Sequence, residues 1–296
     1  MAQERLLEVA GLNVRIVDES HRDYVQLFRR LFELRQIVKF YGSDYFMITQ
    51  FVPGSDGTIE NFGVFSRFAQ IDSDAGWLDL DQLRTASRSQ TAQIQIPQNL
   101  RPNHRPFSFS LVDSKHFVVF EALSNGETLS PRLTVKCLRE MVKHPSIIQE
   151  FGTIEVDMLS SKEIVDDIIR SPSLRQLEIV VKRTNQDDAG RDWIEKIDQE
   201  LEEQRLKREE RKLYAERGRS IEPNEETAAL ARYASETGRV VARISQGRAA
   251  RKVSTEDHPQ VESEVFSRDV APLVAFGNAV RRFVEAVVSG RDEPLQ

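Results

Sequence analysis

Tyr24, Leu27, Phe28, Leu31, Phe32 and Leu34 recur at helical spacing, so an amphipathic helix is expected over 21–38, opened by Ser20. Around it the hydrophobic pattern is that of strands. LLEVAGLNVRIV (6–17) reads as a strand pair or one long irregular strand, and YFMITQFV (45–52) as a strand running into the turn PGSDG (53–57). Segments 58–71, 92–96, 107–112 and 116–122 predict further strands. The last two, FSFSLV and HFVVFEA, are joined by DSK and predict a hairpin.

From residue 130 the pattern alternates between periods. Helices are expected at 130–144, 162–170, 188–210, 224–237 and 270–289, and strands at 153–159, 174–183 and near 212–216. RVVARIS (239–245) and RAARKVS (248–254) flank Gln246-Gly247 and predict a second hairpin. The expected fold is α+β: a β-rich N-terminal domain (1–128) with one early helix, then an alternating α/β C-terminal domain (129–296).

A chain of 296 residues, 40% hydrophobic, suffices for one large or two modest domains with real cores. Its 41 basic and 47 acidic residues give −6, which argues against indiscriminate coating of nucleic acid but leaves room for a local basic face. The single cysteine excludes an intramolecular disulfide and a Cys-rich zinc site. No apolar run approaches the ~18 residues of a membrane span, and the charged N-terminus lacks a signal-peptide core. A cytoplasmic protein with no direct membrane insertion and no cofactor is expected.

Catalytic patterns are sparse. Cys137 lies between the polar and apolar faces of its predicted helix, and neither Lys136 nor Arg139 shares its direction; it reads as a packing residue. The five histidines lack metal spacing, and neither a GxSxG elbow nor a P-loop occurs. Asp72, Asp74, Asp79 and Asp81 are of the type that gathers a divalent cation in nucleases, yet Asp-Ser-Asp-Ala-Gly is also ordinary turn chemistry.

Basic stripes carry more information. At ~100° per residue, Arg132, Lys136, Arg139 and Lys143 fall at about 0°, 40°, 340° and 20°, one narrow row on a helix held down by Leu138, Met141 and Val142. Such a row repels itself by a few tenths of a kcal/mol per pair. A polyanion would offset the repulsion through counterion release; acids from another segment, or solvent, would do so equally well. Residues 239–252 add Arg239, Arg243, Arg248, Arg251 and Lys252 with no acid. Residues 205–212 mix both signs and read as a solvated, salt-bridged helix face. Aromatic residues do not interleave with the basic regions, which favours duplex DNA contacted along its backbone over stacked single strands.

The order FSFSLVDSKHFVVFEALSNGETLSPRLTVKCLREMV, TIEVDML, SLRQLEIVVKRTNQDD, and later ETAALARYASETGRVVAR and STEDHPQVESEVF, resembles the uncharacterised bacterial family called domain of unknown function 4747. That family carries no catalytic motif to transfer. A weaker likeness, in the hairpin-to-helix unit at 107–142 and the LEIVVKR strand at 177–183, runs to the phage lambda exclusion protein A. This likeness implies a dimeric duplex-DNA binder that works with a membrane-protein partner encoded nearby, and it makes Lys182 and Arg183 further phosphate contacts. The expected function is therefore non-enzymatic, sequence-independent DNA binding in anti-phage defence or phage exclusion. Two rivals remain: a protein-interaction module using the apolar faces of 21–38 and 270–289, and a metal-dependent nuclease using Asp72 and Asp74.

Overall fold

Alternation of apolar and polar positions over Glu4–Ile16 gives one 13-residue strand, β1. In this computed structural model, which describes residues 4–17, 22–55, 57, 59–72, 76–95, 97, 99–182, 199–201, 203–246 and 249–289, β1 is the spine of a large antiparallel sheet. Helix α1 (Tyr24–Glu33) follows, then β2 (Val38–Tyr41), β3 (Asp44–Ser55) and β4 (Glu60–Ala69). An excursion carries β5 (Leu78–Asp79), β6 (Arg84–Thr85) and α2 (Arg88–Thr91). The hairpin β7 (Arg105–Val112) and β8 (Phe117–Ser124) leads through β9 (Glu127–Thr128) to α3 (Pro131–Met141) and α4 (Pro145–Phe151). Next come β10 (Ile154–Met158), α5 (Lys162–Ile169), β11 (Leu174–Lys182), β12 (Arg208–Tyr214) and α6 (Glu225–Thr237). The hairpin β13 (Arg239–Gln246) and β14 (Ala249–Ser254), then β15 (Val261–Ser267) and α7 (Pro272–Ser289), complete the chain. The fold is α+β.

The large sheet runs β10-β1-β8-β7-β4-β3-β2, with β15 also on β1 and β9 on β8. Because side chains alternate along a strand, Ala10, Leu12, Val14 and Ile16 enter one core with α1, α3 and α4. Leu7 and Val9 enter a second core on the opposite face with Ala275, Phe276, Ala279 and Phe283 of α7. Gly11 permits this contact: a Cβ there would occupy the space of the Phe283 ring. The smaller sheet runs β12-β11-β13-β14 and buries Leu177, Ile179, Val181, Val240 and Ala242 beneath α5 and α6. The change of sequence texture near 128/129 does not coincide with the division between sheets, since β10 and β15 join the large one.

Several elements differ from expectation for physical reasons. Helix α1 starts at Tyr24, where the Asp23 carboxylate accepts from Gln26 N at 2.7 Å, and ends before Arg35, whose φ of 48° leaves the helical region. Residues 38–41 then become edge strand β2. No strand forms among the described residues of 92–96, which follow α2 as turn and coil. Most of the helix expected over 188–210 lies outside the described residues. From Arg208 onward the chain is β12, because REERKLY alternates across a sheet when it pairs with β11. The alternating VESEVFS of β15 carries no turn signal and escaped the initial reading.

Candidate nucleic-acid interface

Asn125-Gly126, both at positive φ, turns the chain out of β8, and Pro131 takes the first helical position of α3. Ser130 occupies the N-cap with extended geometry, but its side chain makes no capping bond. Val135, Leu138 and Met141 anchor α3 in the first core. Cys137 is buried with them, its thiol donating to Lys39 O at 3.7 Å. Burial pushes that thiol up to about 12, only partly countered by Lys136, so it is no nucleophile.

The stripe points outward as its spacing predicted, but most of it is engaged. Arg132 meets Asp257 at 2.8 Å with both side chains exposed, a pair of small energetic value. The Arg139 Nε–H donates to Val156 O at 2.7 Å, and its guanidinium reaches Asp157 at 3.0 Å and Glu256 at 3.9 Å. Lys143 pairs with Glu140 at 3.3 Å. Lys136 is exposed and has no acidic partner among the described residues.

Lys182 is also committed internally. Its ammonium lies 2.6 and 2.7 Å from the two Asp157 oxygens and 3.5 Å from Glu155. Arg15 and Lys207 bind Glu155 as well, so a half-buried ion cluster ties β10 to β11 and, through Arg139, to α3. Burial opposes ionisation of Glu155, but Arg15, Lys182 and Lys207 together outweigh it and hold the carboxyl below its ordinary value. Arg183 lies outside the described residues, as does Arg248.

The second hairpin brings the remaining cations together. Cross-strand register puts Arg243 directly opposite Lys252, and alternation turns both, with Arg239, away from α5 and α6. Arg251 opposes Ile244, which packs on the core, and so belongs to the other face. Neither Arg243 nor Lys252 has an acidic partner among the described residues. Arg239 is bound to Glu178 at 3.0 Å, while its buried Nε–H has no acceptor. Together they line a concavity of about 210 Å³ that also includes Gln176, Glu178 and Glu256.

Glu256 therefore connects the two regions that are separate in sequence: it contacts Arg139 of α3 and borders the hairpin concavity. Register assigns Arg208 and Lys212 of β12 to the same sheet face as Arg243 and Lys252. That placement was missed because the segment reads as a helix; the signal available was the strict alternation of REERKLY. On this face six cations (Lys182, Arg208, Lys212, Arg239, Arg243 and Lys252) stand against two acids, Glu178 and Glu210.

Among the described residues no group of three or more His, Cys, Asp or Glu side chains is gathered to hold a metal. Asp74 lies outside the described residues; Asp79 instead accepts from Gln90 at 2.6 Å and from the backbone of Asp81 and Gln82, which holds its carboxyl below the ordinary range. No helix among the described residues is long and apolar enough to cross a membrane.

Fold and site together define an α+β protein of two antiparallel sheets, one with a cationic face flanked by a basic helix. The chain belongs to the family described as Domain of unknown function (DUF4747), whose model matches residues 5–280. No curated protein and no solved structure matches it, and the likeness to the phage lambda exclusion protein A stays at the level of segment order.

Proposed function

We propose that this protein binds nucleic acid, duplex DNA above all, without sequence preference, through the smaller sheet's cationic face and the adjacent Lys136. One observation carries the reading: Arg243 and Lys252 are like charges set directly opposite on neighbouring strands, with no acid to compensate either. Such a pair destabilises an antiparallel sheet. An anion at the same place reverses the sign of that contribution, which gives the arrangement a use. Backbone phosphates supply such anions without regard to sequence. Arg132, Arg139, Lys143 and Lys182, already engaged with acids, fall outside the contact set; Arg239 supports it. The order shared with the exclusion protein places this activity in anti-phage defence, with a homodimer in the cytoplasm and a membrane-protein partner as further elements of the proposal.

In a mobility-shift assay at low salt, Arg243→Glu with Lys252→Glu is expected to weaken duplex binding at least tenfold, whereas Arg132→Glu has little effect. Unchanged affinity in the double variant contradicts the assignment.

A second reading has support at a different place. The apolar faces of α1 and α7 are spent on the two cores of the large sheet and offer no docking surface. The excursion between β4 and β7, by contrast, holds Leu78, Leu80 and Leu83 in solvent, 64–79% exposed. A protein partner would dock there, and a stable co-purifying protein lost on Leu80→Asp would favour this reading.

A further inference from the structure

We propose that the concavity on the smaller sheet receives a single phosphomonoester, the phosphorylated end of a nucleic-acid strand, rather than a run of backbone phosphates. This inference rests on the nucleic-acid reading above and names the part of the polymer that meets Arg243 and Lys252.

Size gives the first argument. The concavity measures about 210 Å³, below the ~300 Å³ at which sites for drug-sized ligands begin. It accommodates a phosphoryl group with part of its sugar, not a whole nucleotide and not a length of backbone.

Charge gives the second. Of the groups in the lining, Glu178 is taken by Arg239 at 3.0 Å, and Glu256 lies 3.9 Å from Arg139. Arg243 and Lys252 remain, two positive charges without counterions among the described residues. A phosphomonoester carries about −1.5 to −2 at neutral pH and so matches them better than the single charge of a backbone diester. The two carboxylates on the rim work against a continuous track, because each phosphate beyond the first would be driven toward Glu178 or Glu256.

Geometry gives the third. Arg243 brings a planar fork suited to two phosphoryl oxygens, and Lys252, directly across the ladder, brings a compact charge to a third. Gln176 in the same lining is a neutral hydrogen-bonding group for the terminal sugar.

The test uses the full chain and one labelled duplex oligonucleotide prepared with 5′-phosphate, 3′-phosphate or hydroxyl ends, beside a closed circular duplex, with affinity read by anisotropy. At least one phosphorylated end is expected to bind about tenfold more tightly than the hydroxyl form and the circle. Arg243→Gln with Lys252→Gln should remove that advantage while the hydroxyl form keeps its affinity; an unchanged circular dichroism spectrum establishes that the variant is folded. Equal binding of all forms overturns the end assignment and leaves general nucleic-acid binding intact. Failure of every nucleic acid to bind overturns both. Thermal stabilisation by inorganic phosphate alone, without polymer binding, would assign the concavity to a small phosphate and also overturn the proposal.

Discussion

At the scale of single residues, burial and pairing decide which groups are available for chemistry. Cys137 combines near-complete burial with a thiol pushed up to about 12, so it should not react with a disulfide reagent at about pH 8 until the protein is denatured. Stoichiometric labelling of the native protein would contradict that placement. Glu155 behaves oppositely: its carboxyl lies below the ordinary value of 4.5 because three cations surround it. The folded state therefore holds this proton less tightly than the unfolded chain. The stabilisation is complete above the unfolded value and is lost as pH falls through the folded one. Urea midpoints should decline below about pH 4.5, and Glu155→Gln should lower the neutral midpoint and flatten the acid decline. A variant with the parent's full acid dependence would refute this role. The packing role of Cys137 was legible in sequence, because helical spacing alone puts it toward Leu138 and Met141. The fate of Lys182 was not, since its partner Asp157 is 25 residues away and nothing local in TIEVDML marks an ion cluster.

At the scale of elements, the two basic regions illustrate what periodicity conveys and what it omits. The outward row on α3 follows from the 3.6-residue repeat, and the β13–β14 hairpin from its turn and flanking strands. Periodicity says nothing about which acids another segment brings to the row, and Asp157, Glu256 and Asp257 do so for Arg132 and Arg139. Strand β12 was hidden for a different reason. Arg, Glu, Lys and Leu are good helix formers, and pairing with β11 overrides that weak preference. The hairpin itself yields an energetic prediction. Replacing Arg243 and Lys252 by Gln removes an uncompensated cross-strand repulsion and should leave the fold as stable or more stable by a few tenths of a kcal/mol. A large loss of stability in urea titration would mean that these side chains hold the sheet together and are not reserved for an anion.

At the scale of the whole molecule, a net charge of −6 coexists with a cationic sheet face because charges are unevenly distributed. Much of the acid is consumed in internal pairs around β10 and β11 or lies on other surfaces. A protein arranged in this way is repelled by polyanions in most orientations and attracted in one, so its binding should depend strongly on salt. The α+β class and most elements were readable from the chain, whereas the division into sheets was not. Strands β10 and β15 cross from the second half of the sequence to pair with β1, and such long-range register leaves no local signature. The central claim concerns Arg243 and Lys252, and the salt dependence of binding tests it most directly. With a linear duplex bearing phosphorylated ends, the slope of log affinity against log salt should be shallower by about 1.8 in the Arg243→Gln, Lys252→Gln variant than in the parent, ~0.9 for each lost phosphate contact. Identical slopes and affinities for the two proteins would contradict the account.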